Sequence, residues 1–507
     1  MSFSSRASIS CLANETLLAI FGHIYQHTQD PFLRFPLGHP PRPILNVHSK
    51  TMFPYACAEV CRRWLAISAM DARFWRRVVI PIDAPYVTRE VIQTVLEASR
   101  KNSKITVDIC YRGAPLMDPS LEHVRIKLAM ECLRPHLSRC SEFTLGGLYR
   151  SSTVLLARLF ECIVLPEVVD LTLASSIVDT DERFALTVLD CPKLHRVDLD
   201  ARSLADFVLS SAGWKLWKKC EPVLSATSYR PHGELYPLSP AFFGQAVITA
   251  HMRARVAFCI EDVEFSGLDA SPSETSDPSP AGLPIFVVPK SDDGNNNNEL
   301  SVCFSCMDGL SISRLLDHVV PSAKPDVSIA IMSSDLSSFS MKHRLGSRSR
   351  LLLSDVNDKA SLLAILGNWD GPVLLLSYCP AFDDSVLRLL RKNKKFCPNL
   401  INFIVGGCPC TPRALSRMLR ARHRAGRRVH GVDVTGDVML PTEEELTLIE
   451  KSVDELCWYE AYRALRGGDG GEDDDEHEAD SESETGQLFE GLGGLLPTFS
   501  LGDLGTL

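Results

Sequence analysis

The chain has 507 residues, 45% of them hydrophobic and 23% charged, with 53 Lys and Arg against 63 Asp and Glu and a formal net charge of −10. Ten carboxylates (Asp469, Glu472, Asp473, Asp474, Asp475, Glu476, Glu478, Asp480, Glu482 and Glu484) fall in residues 467–484 without one Lys or Arg. The rest of the chain is therefore balanced in charge, which argues against a globally basic nucleic-acid-binding protein. The length allows two or three domains and a large core.

Asn14 and Glu15 interrupt the early apolar run, so no secretory signal is expected, and no apolar run reaches the ~20 residues that span a bilayer. The seventeen cysteines then read as reduced thiols in the cytoplasm and/or nucleus. Cys191, Cys379, Cys397 and Cys408 each precede a proline, which is no disulfide framework.

Residues 12–24 (LANETLLAIFGHI) place Leu17, Leu18, Phe21 and Ile24 on one helical stripe. Residues 60–68 (VCRRWLAIS) do the same with Val60, Cys61, Trp64 and Leu65, and Phe74-Trp75 follow. Neither helix is long enough to be stable alone, so the stripes must pack together. Between them, residues 26–55 carry Pro31, Pro36, Pro40, Pro41, Pro43 and Pro54 and read as an inserted loop. Two amphipathic core helices would share this period. The ordered set Asn14-Glu15, Leu17-Leu18, Ile20-Phe21, Val60-Cys61-Arg62-Arg63-Trp64 and Phe74-Trp75 goes further and resembles the F-box. Ala13 stands where that family has a proline, and the insert is longer than usual.

Behind this module (residues 8–80) the chain repeats. Residues 105–109 form a strand with Ile105, Val107 and Ile109 on one face. Short apolar strands start at 143, 171 and 197, and again at 374, 403 and 432, the last three spaced by 29 residues. Further strands are expected at 256–260, 302–304, 327–331 and 351–353. Helical patterns follow at 385–391 and 412–424. A period in the twenties with one strand and one helix per unit is the signature of a leucine-rich-repeat solenoid. The fold class read from the sequence is α plus α/β: a small helical module, then an irregular solenoid over residues 100–440, with parallel strands inside and helices outside. Residues 266–299 read as a flexible insertion. Thr442 and Glu445 form a capping box opening a C-terminal capping helix over 441–466, expected to bury Leu446, Ile449, Val453 and Leu456. Residues 467–507 read as an acidic, disordered tail.

Candidate chemistry is sparse. Cys303-Phe-Ser-Cys306 lacks two further ligands at zinc spacing, so no metal is expected. No GxSxG, HExxH, Walker or supported GxGxxG pattern occurs, so no catalytic residue and no cofactor is expected. Arg413, Arg417, Arg420 and Arg424 fall on one helical face and form a candidate surface for an anionic partner, or else the solvated outside of a repeat helix. Opposite charge alone allows the acidic tail to fold back on that face.

The arrangement is similar to the large fungal class of F-box-like proteins with degenerate leucine-rich repeats. That resemblance implies a non-catalytic substrate-recognition subunit of an adaptor–cullin–F-box (SCF-type) ubiquitin ligase. Leu12, Leu17, Leu18, Phe21, Ile24, Val60, Trp64 and Leu65 would be buried within the module and against the adaptor subunit. The cullin would be reached indirectly through that adaptor, and the repeats would hold a protein substrate, with no membrane partner. The alternative is a repeat scaffold for protein–protein interaction outside any ligase.

Overall fold

The computed structural model describes residues 9, 12–28, 52–85, 87–112, 117–161, 163–186, 190–210, 223–230, 235–254, 256–265, 300–323, 327–435 and 440–458. These fall into two units, one up to residue 198 and one from residue 199.

In the first unit, helix α1 (Asn14–Thr28), a single turn α2 (Tyr55–Ala58) and α3 (Arg62–Ser68) precede strand β1 (Arg77–Pro81). There follow α4 (Arg89–Ala98), β2 (Ile105–Cys110), α5 (Pro119–Leu133), β3 (Cys140–Tyr149), α6 (Arg150–Leu159), β4 (Asp170–Ile177) and β5 (Arg196–Asp200). The strands lie side by side in sequence order, and β1 to β4 pair in parallel. Register explains the pattern. Val78, Val107, Phe143 and Leu171 form one row across the sheet, and Ile80, Ile109, Leu145 and Leu173 another. All eight side chains are at most 2% exposed. Alternation along a strand sends these positions to one face, where the helices cover them.

The second unit contains α7 (Ala201–Leu209), β6 (Val223–Tyr229), α8 (Pro240–Ala254), β7 (Ala257–Val263), β8 (Leu300–Ser305), α9 (Gly309–Ala323), β9 (Val327–Met332) and β10 (Arg350–Ser354). It continues with α10 (Lys359–Gly367), β11 (Val373–Ser377), α11 (Asp384–Lys392), β12 (Asn402–Gly406), α12 (Pro412–Arg424), β13 (Gly431–Thr435), α13 (Glu443–Glu450) and β14 (Glu455–Cys457). Every pair from β6 to β14 is parallel and joins consecutive strands. Phe258, Val302, Ile329, Leu351, Leu374, Phe403 and Val432 make its buried row.

Two local devices repeat in this unit. An acceptor side chain caps the helix that follows a strand: Asp358 takes the Ser361 amide at 2.7 Å, Asp383 that of Ser385 at 3.0 Å, and Thr411 that of Ala414 at 3.2 Å. Each such cap contributes about 1 kcal/mol. The residue after the strand is also left-handed at Cys306, Ser333, Asp355, Tyr378 and Gly407, with φ between 45° and 60°. At Gly407 a Cβ would lie 2.5 Å from the Tyr378 ring, so only glycine fits.

The structure is thus an α/β repeat array with a parallel sheet. Four boundaries differ from the sequence expectation. The sheet starts at β1, inside the span given to the helical module, because residues 77–81 alternate as tightly as the later strands. Cys61 is extended (φ −166°) and precedes α3, so Val60 and Cys61 leave the helical stripe. Of the span given to the inserted loop, residues 26–28 belong to α1 and residues 52–55 pack into the module, while residues 29–51 lie outside the described residues. The C-terminal helix ends at Glu450 instead of running to 466, because β14 claims residues 455–457 as a partner for β13. The capping box itself is present, with Thr442 Oγ1 accepting the Glu445 amide at 3.2 Å. The expected insertion at 266–299 and tail at 467–507 lie outside the described residues.

Candidate functional site

The N-terminal module is held by aromatic rings and one arginine. Phe21 of α1 meets Trp64 of α3 edge-on at 5.1 Å between centroids, and Phe53 at 6.4 Å. Phe53 and Tyr25 pack on Phe74 at 5.0 and 5.2 Å. Offset and edge-on pairs of this kind add about 0.5–1.5 kcal/mol each beyond burial. Arg63 reaches across to Asn14 Oδ1, at 2.9 Å from Nη2, and also donates to the Leu12 carbonyl. That arginine fixes the start of α1, where the family pattern would place a proline and this chain has Ala13.

The module is joined to the sheet by Tyr55. β1 stands first in the sheet, and among the described residues no strand pairs with its outer edge. There the Val79 amide donates to the Tyr55 hydroxyl at 2.6 Å, and that hydroxyl donates to the Arg77 carbonyl at 3.1 Å. One side chain thus replaces a missing strand. Burial pushes the Tyr55 pKa up, so the phenol keeps its proton. The Tyr55 ring packs on Trp75 at 5.6 Å, and the Trp75 indole N–H donates to the Ser68 carbonyl at 2.9 Å.

Of the eight residues assigned to adaptor docking, Leu17 and Phe21 are fully buried inside the module. Leu12, Leu18, Ile24, Trp64 and Leu65 are half-buried, and Val60 is 60% exposed. Three exposed apolar residues of the module, Ile9, Ile20 and Met70, lie outside that set. Ile20 is three residues from Leu17 and four from Ile24, so helical spacing alone gave no signal that it is exposed.

The face of the sheet opposite the rows Val78–Leu171 and Phe258–Val432 differs between the units. In the first it carries Arg77, Thr106, Glu142 and Asp170 in one row and Asp108, Thr144 and Thr172 in the next. In the second the central row is apolar: Cys303, Ala330, Leu352, Leu375 and Ile404, ending at Asp433. Leu352, Leu375 and Ile404 are half-buried. Cys303 stacks beside Cys259 of β7, whereas Cys306 is exposed, so the CxxC thiols part. Among the described residues no group of three or more His, Cys, Asp or Glu stands at metal-binding distance. No described helix is long and apolar enough to cross a membrane.

Arg413, Arg417, Arg420 and Arg424 are all exposed on α12, while Arg422 points inward and is buried. Arg422 donates to the Cys397 carbonyl at 2.9 Å. Burial, and next the charge of Arg427, lowers its pKa to about 10. Thr411, the N-cap of α12, donates both its amide (2.7 Å) and its hydroxyl (2.9 Å) to Asp384 of α11, which sets the two helices side by side. A cleft of about 850 Å³ follows from this packing, and Arg391 and Lys392 from α11 join the four arginines in lining it.

No protein-family model and no curated protein sequence matches the chain. Among solved structures it is similar to the crystal structure of a Rad7 and Elc1 complex in yeast, at 12% identity and a TM-score of 0.27, over 79% of this chain and 90% of that one. A likeness at that level assigns neither fold nor function.

Proposed function

We propose that this chain is the substrate-recognition subunit of an adaptor–cullin–F-box ubiquitin ligase. The observation that carries the reading is the helical pair α1–α3. Its buried residues Leu17 and Phe21, its Phe21–Trp64 contact and its Arg63–Asn14 bridge occupy the positions the F-box resemblance marks. Leu18, Ile20 and Val60 remain on its surface as a docking face for the adaptor. The repeats hold a target protein, and the apolar row Leu352–Leu375–Ile404 is the part of the sheet best suited to bury a partner's side chains. The chain performs no covalent step; it raises the rate by proximity alone.

The test is co-purification of the full chain with the adaptor, with and without Leu18→Asp and Ile20→Asp together. These side chains are partly exposed, so the variant keeps its fold, unlike a change at fully buried Leu17. Loss of adaptor from the variant alone is the expected result. If the unmodified chain brings down no adaptor, the ligase reading fails and the repeat-scaffold reading takes its place.

A further inference from the structure

The cleft on α12 holds six cations: Arg391, Lys392, Arg413, Arg417, Arg420 and Arg424. Two carboxylates, Glu444 and Glu445 of α13, also line it. The Glu445 carboxylate is turned to its own helix start, where it accepts the Thr442 amide at 3.1 Å. Six cations against two carboxylates leave an excess of four. Among the described residues no side-chain hydrogen bond or ion pair is formed by Arg413, Arg417, Arg420 or Arg424. Guanidinium groups spaced along one face, without partners, match a run of carboxylates.

The chain carries such a run. Residues 469–484 hold ten carboxylates in sixteen positions and no Lys or Arg. Trp458, which follows β14, is eleven residues before Asp469. Eleven residues can span up to about 36–40 Å, whereas α12, with 13 residues, is about 20 Å long. The stretch from Trp458 to Asp469 can thus be longer than the helix face that carries the four arginines. A tether of this length holds its end at an effective concentration of about 1 mM, which outcompetes a free acidic peptide in the micromolar range.

We propose that residues 469–484 dock in the α11–α12–α13 cleft of the same chain, so that an acidic partner enters it only by displacing them. The inference does not depend on the ligase reading.

Two measurements on the full chain test it. Carbodiimide joins amines to carboxylates, and Lys392 is the amine in the cleft. The expected product is a monomer in which the Lys392 peptide is linked to the acidic segment. Linkage found only in dimers would instead place the segment on a second copy and overturn the proposal. The second measurement is affinity for a synthetic peptide of residues 469–484. A chain whose ten carboxylates are changed to Asn and Gln should bind it at least tenfold more tightly than the unmodified chain, and more weakly as salt rises. Adding Arg417→Glu, Arg420→Glu and Arg424→Glu should abolish that gain; these side chains are exposed, so folding is spared. Equal affinity of the two chains, or binding indifferent to charge reversal, would sink the proposal.

Discussion

Tyr55→Phe isolates the contribution of one hydroxyl. In the unmodified chain that hydroxyl accepts the Val79 amide at 2.6 Å and donates to the Arg77 carbonyl at 3.1 Å. Phenylalanine keeps the ring against Trp75 and removes both bonds. Val79 is 3% exposed, so its amide loses its partner without gaining water freely. A buried polar group left unsatisfied costs about 1–3 kcal/mol, and the carbonyl on the strand's edge less, which places the whole change near ~2 kcal/mol. The cost falls on β1 and the helices seated on it, so native-state hydrogen exchange is the suitable assay. Exchange at Val79 and its neighbours in β1 should speed up by roughly 30-fold, since about 1.4 kcal/mol is a factor of ten. Exchange in β10 to β13 should not change. An unaltered rate at Val79 would show that the hydroxyl is not the edge's partner, and the account of how the module attaches would fall.

Gly371→Ala should be among the most damaging small changes: its Cβ would lie 1.6 Å from the Ser349 carbonyl oxygen and 2.7 Å from Trp369 Nε1. A loss of about 3 kcal/mol in urea unfolding is expected, because backbone must move. Gly146→Ala, with nothing within 4 Å, is the control, and equal losses would refute the steric account. Asp383→Asn tests a pH effect. Burial raises the Asp383 pKa, but Lys359, the Ser385 hydroxyl and the amides of Val386 and Ser385 outweigh it and hold it at about 2. A carboxyl depressed below its ordinary value stabilises the fold above pH ~4 and loses that contribution as pH falls toward 2. The unmodified chain should therefore lose stability more steeply between pH 4 and 2 than Asp383→Asn, which keeps the cap but not the ion pair; parallel curves would count against it.

The repeat was legible because register in a parallel sheet is written as period. Leu374, Phe403 and Val432 recur at equal spacing, and the structure sets them side by side in one buried row. The capping box at Thr442 and the arginine face of α12 were legible for the same reason, since both depend on neighbours within one helix. What lies between elements was not. Nothing local marks Tyr55 as the partner of β1; it sits beside a proline in a segment whose composition reads as loop. Nor does sequence show that Arg391 and Lys392 of α11 complete the cation set of α12, because that follows from Asp384 clamping Thr411 across two helices. The C-terminal helix was over-extended because Val453 and Leu456 fit a helical period as well as a strand, and only the free edge of β13 decides for the strand.

A parallel sheet has two edges, and an unpaired edge recruits other chains. At the first edge this protein sets Tyr55 and the helical pair against β1, so the module that displays Leu18, Ile20 and Val60 also shields the strand. The two tasks share residues. Trp75 packs Tyr55 on one side and is bonded to the end of α3 on the other, so the orientation of α3 is set by the same contacts that satisfy the edge. On the proposed ligase reading the gain comes from proximity, which a loosely held docking face would lose. If the chain is the proposed ligase subunit, Tyr55→Phe should leave adaptor affinity unchanged, because Leu18 and Ile20 are untouched, but slow ubiquitin transfer to a bound target; an unaltered transfer rate would count against this coupling.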